Sequence, residues 1–139
     1  MIASNLVAIY LQNAVAGLPA TPASERALRA LRSDIGEMGG TAYLFECRVL
    51  AGVQQLLQVF NTARDDEYDE IVDRCEDFLR QVAKEYDEAH FTYAELEEND
   101  VDLLKLKGWL ERVRNRDVFD AAGLKAAVAA VERCETALE

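Results

Sequence analysis

The stretch Phe60-Asn-Thr-Ala-Arg-Asp-Asp-Glu-Tyr68, running on through Ile71 to Tyr86, decides how this chain is read. Tyr68, Ile71, Val72, Cys75, Phe78, Leu79, Val82 and Tyr86 recur at the steps of one helix face. Asp69, Glu70, Asp73, Arg74, Glu76, Asp77, Arg80 and Lys84 fill the other face, which is therefore solvated and strongly acidic. A helix of this kind has to pack on other helices, and its pattern carries no chemistry of its own. Its start is expected at Thr62 to Asp66, whose acids suit the positive end of the aligned peptide dipoles. Just upstream, Gly52 opens a separate, shorter helix in which Val53, Leu56, Leu57 and Phe60 share a face.

Toward the C-terminus, Thr92 and Glu95 form a capping box, with Phe91 placed to clasp Leu96. The helix behind it buries Leu96, Leu103, Leu106, Leu110 and Val113, with Trp109 flanking the stripe. Its charge runs from acids at Glu95, Glu97, Glu98, Asp100 and Asp102 to bases at Lys105, Lys107, Arg112, Arg114 and Arg116, matching the helix dipole. Asp120 is the expected cap of the last helix, with Phe119 set to staple Leu124. Leu124, Val128, Val131 and Leu138 form its inner face, and the intervening alanines permit close approach.

Toward the N-terminus, the apolar runs Asn5 to Gln12 and Ala14 to Leu18 read as two short strands about a turn, or as one continuous buried strand. Thr21 followed by Pro22 starts a helix with the stripe Ala27, Leu28, Leu31 and Ile35, and Gly39-Gly40 ends it. Thr41 to Val49 alternates Tyr43, Phe45 and Cys47 against Leu44, Glu46 and Arg48, the pattern of a half-buried strand. The expected fold is α+β and mostly α. It has a small sheet of two or three strands with a covering helix, then a bundle of about three long antiparallel helices. Residues 1–139 form one domain, with a strand-helix-strand part at 1–50 and a helical part at 51–139.

With 26 acidic and 15 basic side chains the formal charge is −11, which opposes approach to phosphate backbones and anionic lipid. Residues 1–60 carry four groups of each sign, so the whole excess follows Phe60. Cys47, Cys75 and Cys134 are scattered and odd in number, which fits a reducing cytoplasm rather than a disulfide framework. No apolar run reaches the length of a membrane helix, and Met1 to Gly17 lacks the basic front of a secretory signal, although Ala14-Val15-Ala16 resembles a cleavage site.

His90 follows Asp87 at three residues, as in di-metal bundles, but those need a second such pair and this is the one histidine, so no metal is expected. The acids at 95–102 lack the glycine-containing loop of a calcium site. The basic cluster of Lys105, Lys107, Arg112, Arg114 and Arg116 is read first as complementing the helix end and pairing with acids on a neighbouring helix. Cys75, on the apolar face, reads as a core thiol. No phosphate loop, nucleophile elbow or cofactor motif is present, so neither an enzyme nor a cofactor is expected.

Two groups of segments resemble the N-terminal domain of ChrB, the bacterial chromate-resistance regulatory protein. The first runs from Val7 through Pro19 and Glu25 to Arg32, ending at Gly39-Gly40-Thr-Ala-Tyr43; the second joins Glu46-Cys-Arg48 to Phe60-Asn-Thr-Ala-Arg64-Asp65 and Tyr68. That domain usually opens with a further strand and a basic helix ahead of the stretch matched by Val7. The resemblance implies a cytoplasmic regulatory or sensing protein in the transcriptional control of chromate export. It also implies chromate or another oxyanion as ligand, with Arg48 and Arg64 as the residues that would hold it by charge-assisted hydrogen bonds. Phe60, Asp65 and Tyr68 would form a structural joint beside them. Direct DNA contact by this chain is disfavoured by its charge. The alternative is a helical dimerisation module, a homodimer that binds neither DNA nor anion.

Overall fold

The computed structural model of the chain describes residues 9–12, 15–88 and 92–139. Its elements are β1 (Ile9–Gln12), β2 (Val15–Gly17), α1 (Pro22–Glu37), α2 (Val53–Asp87), α3 (Tyr93–Arg116) and α4 (Leu124–Ala137). The fold is mostly α with a minor strand component. The chain divides into two compact units, residues 1–54 and 55–139.

In the first unit β1 and β2 pair antiparallel, with Ile9 opposite Gly17 and Gln12 opposite Val15, and the register shifts between Tyr10 and Gln12 as at a bulge. Both ends of α1 follow the sequence. Thr21 Oγ1 accepts from the Ser24 N–H at 3.1 Å, with Pro22 in the first turn. Gly39 takes φ 83°, and the Gly40 N–H returns to the Ile35 carbonyl at 2.9 Å. A Cβ on Gly40 would lie 2.8 Å from Ile35 Cγ2, so the stop closes too tightly for a side chain.

One expectation fails here. Residues 41–49 form no third strand; the segment is irregular, tethered where the Arg32 Nε–H donates to the Ala42 carbonyl at 3.0 Å. Alternation tells which side of a strand would be buried, but a strand also needs a ladder partner, and among the described residues the sheet of this unit holds β1 and β2 alone. The stripe Ala27, Leu28, Leu31 and Ile35 of α1 is half-buried.

In the second unit the expected break at Thr62–Asp66 is absent, and α2 is one helix of 35 residues. Neither proline nor glycine occurs between Val53 and Asp87, and Asn61 and Thr62 each cost only a few tenths of a kcal/mol in a helix interior. Tyr68, Ile71, Cys75, Phe78 and Val82 are buried, with Val72 and Leu79 packed beside them. They meet Leu106, Leu110 and Val113 of α3 and Ala127, Ala130, Val131 and Cys134 of α4. α3 and α4 approach closely, which the buried alanines allow.

The pairing directions can be read from single contacts. Gly123 meets Asp65 and Cys134 meets Cys75, offsets of 58 and 59 residues, so α2 and α4 run parallel. Glu67 meets Arg116 while Glu85 meets Asn99, so α3 runs against α2. The capping box at Thr92 and Glu95 is formed in both directions. His90 and the staple residue Phe91 lie outside the described residues. No helix among the described residues is long and apolar enough to cross a membrane.

Candidate functional site

Extending the buried stripe of α2 backward from Tyr68 brings Arg64 to the next inward position, since 64, 68, 71, 75, 78 and 82 alternate steps of four and three. Arg64 is 8% exposed, where the period calls for an apolar side chain. A guanidinium withdrawn from water needs partners for both its charge and its N–H groups. Its charge partner is Glu67, with Arg64 Nε 3.2 Å from Glu67 Oε2. The N–H is not aligned on that oxygen, and both atoms are buried without a hydrogen bond. The other oxygen, Oε1, accepts from Arg116 Nη2 at 2.9 Å, while Arg116 Nε is likewise buried and unpartnered. Two arginines thus share one carboxylate, and the sharing leaves a donor on each unsatisfied.

The next residue in the chain, Asp117, holds the turn between α3 and α4. Its Oδ2 accepts from the Tyr68 hydroxyl at 2.7 Å and its Oδ1 from the Ala121 N–H at 2.8 Å. Burial, and then the bond to Asp117, push the Tyr68 phenol well above its ordinary pKa. Asp65 Oδ1 accepts from the Gly123 N–H at 2.7 Å, and Asn61 Nδ2 donates to the Phe119 carbonyl at 3.3 Å. The Phe60 and Phe119 rings lie 5.6 Å apart, inclined at 54°.

The expected cap at Asp120 is not made. Asp120 has φ 55° and is exposed, and Gly123 occupies the cap position without a side-chain bond of its own. The carboxylate serving the start of α4 comes instead from Asp65, 58 residues earlier. A Cβ on Gly123 would lie 2.9 Å from Asp65 Oδ1 and 3.1 Å from Tyr68 Cβ, so the close approach depends on glycine.

The family model for the N-terminal part of protein ChrB matches residues 4–139. The chain belongs to the ChrB N-terminal family. By that membership it is a chromate-resistance-associated protein. No curated protein and no solved structure matches it at a significant level.

Within this ChrB N-terminal fold, Phe60, Arg64, Asp65 and Tyr68 fall in one cluster on α2, facing Arg116 to Gly123. Arg48 belongs to the first unit and is exposed. From the basic cluster, Arg116 pairs with Glu67 of α2 and Lys107 with Glu135 of α4. Cys75 and Cys134 lie within hydrogen-bond reach of one another, and the Cys134 thiol donates to the Cys75 carbonyl at 3.5 Å. Burial pushes the Cys75 thiol up to about 12 and raises Cys134 as well, which keeps both protonated and poorly nucleophilic.

Among the described residues no group of three or more His, Cys, Asp or Glu side chains converges as a metal site. At the other end of the unit Asn99, 5% exposed, donates to Glu85 at 2.7 Å beside a cavity of about 160 Å³. Glu67, Asn99, Asp117 and Gly123 were not singled out from the sequence. The heptad extension to Arg64 was the available signal for the first, because an inward arginine implies an acid within a turn.

Proposed function

We propose that this chain is a non-enzymatic regulatory or sensing module acting in the cytoplasm in the transcriptional control of chromate export. The observation that carries the reading is Arg64. It is buried on the core stripe of a chromate-resistance family member, its Nε–H is unpaired, and a second arginine with the same defect stands across Glu67. Buried donors without partners call for an explanation, and a bound oxyanion is one that guanidinium chemistry favours. Arg48, the other arginine proposed for the anion, lies exposed in the first unit. Titration calorimetry with chromate and with sulfate should give heat for the wild-type chain and none for Arg64→Ala. A wild-type chain giving only dilution heat with both anions would remove the anion from the proposal.

A second reading, a homodimeric interaction module, is favoured by the first unit. There Met38, Tyr43, Phe45 and Leu50 are each more than three-quarters exposed. Sedimentation of a stable dimer that neither shifts DNA nor takes up an anion would favour this second reading over the first.

A further inference from the structure

We infer that Glu67 is an internal occupant of the oxyanion site, a carboxylate that holds Arg64 and Arg116 until a doubly charged tetrahedral oxyanion displaces it. The inference rests on the proposed anion-sensing role and supplies its regulation. Three features of the cluster lead to it. Glu67 bridges both guanidinium groups, at 3.2 Å and 2.9 Å. It satisfies them poorly, since Arg64 Nε, Arg116 Nε and its own Oε2 are all buried without hydrogen bonds. It is also the most accessible member, its side chain 24% exposed against 10% for Arg64 and 18% for Arg116, so it can swing toward solvent while the arginines stay in place.

A single carboxylate offers two oxygens and one negative charge to two cations. A tetrahedral dianion in the same place offers four oxygens and neutralises both charges, which suits the donors left idle. An acid fixed one turn away competes at high effective concentration, so the wild-type chain binds such an anion weakly, with a threshold set by Glu67. Displacement also bears on the turn into α4. Arg116 precedes Asp117, and Asp117 holds both the Tyr68 hydroxyl and the Ala121 N–H.

The test compares sulfate binding by calorimetry, at ionic strength matched with chloride, for wild type, Glu67→Gln, Arg116→Gln and Glu135→Gln. Glu67→Gln keeps a hydrogen-bonding side chain and removes the competing charge. It should bind sulfate roughly tenfold or more tightly than wild type, while Arg116→Gln loses binding. Glu135→Gln, which neutralises a half-buried acid paired with Lys107 away from the cluster, should match wild type and so excludes a general effect of charge. Should Glu67→Gln fold poorly, the melting temperature of Glu67→Ala with and without sulfate replaces it, and the anion should raise it more than it raises wild type. Wild-type binding that Arg64→Ala abolishes but Glu67→Gln leaves unchanged would overturn the displacement and leave the sensing role standing. Absence of sulfate binding in both wild type and Glu67→Gln would overturn the displacement, and dilution heat alone with chromate as well would overturn the sensing role with it.

Discussion

The two units of this chain contrast in how they use similar apolar material. Among residues 15–54 no side chain is buried, and Tyr43 and Phe45 stand 78% and 77% exposed. In 55–139 Tyr68, Ile71, Cys75, Val113, Ala127, Ala130 and Cys134 reach zero exposure. An aromatic residue on a continuous helical stripe meets two other helices, whereas one on a lone alternating segment meets only what the sheet can offer it. The contrast teaches that burial follows from elements long enough to present a whole face, more than from apolar content.

The largest expected effect tests that contrast directly. Tyr68→Ala should cost about 3–5 kcal/mol in chemical denaturation, as for other large-to-small aromatic changes in cores, and Tyr43→Ala should stay within about 0.5 kcal/mol. Equal costs at the two positions would show that the first unit is as tightly packed as the second.

Alkaline pH probes the second unit through its thiols. The folded pKa values of Cys75 and Cys134 are raised from 9.0, in the case of Cys75 to about 12, so the folded state keeps protons that the unfolded state releases. Stability is therefore full below about pH 9. Through Cys75 it should decline as pH rises from about 9 toward 12, at up to about 1.4 kcal/mol per pH unit, and Cys134 adds in the same direction. Tyr68 adds to the decline from pH 10 upward. Replacing both cysteines by alanine should flatten the melting temperature between pH 9 and 10; an unchanged slope would mean that the thiols ionise equally in both states.

A smaller effect sharpens the role of the joint. Asp65→Ala removes the acceptor of the Gly123 N–H and should cost about 1–2 kcal/mol, with faster hydrogen exchange at the Gly123 and Ala121 amides. Unchanged exchange there would show that α4 starts without help from α2.

Much of the bundle was legible in the sequence. The stripe from Tyr68 to Val82, the Thr21-Pro22 start and the Thr92–Glu95 box all depend on neighbours within a few residues. The candidate site was legible only in part. Arg64, Asp65, Phe60 and Tyr68 stood out as a group, but what they touch lies about 50 to 60 residues away, and spacing gives no such distances. Asn99 took an inward position at the start of α3, while the apolar Leu96 was left 48% exposed, because Glu85 on α2 supplied a hydrogen-bonding partner.

By itself the sequence determined an acidic, mainly helical chain, the caps of α1 and α3, the core face of α2 and the resemblance to ChrB. These follow from period, local hydrogen bonding and charge, which act within a turn or two of the chain. Only the tertiary structure decided that residues 41–49 add no strand to the β1–β2 sheet and that Asp65 rather than Asp120 serves α4. It also placed Arg64 and Arg116 on a single carboxylate. Each of these outcomes depends on which distant surface comes within 3 Å of a given donor, and that is fixed by how the helices pack.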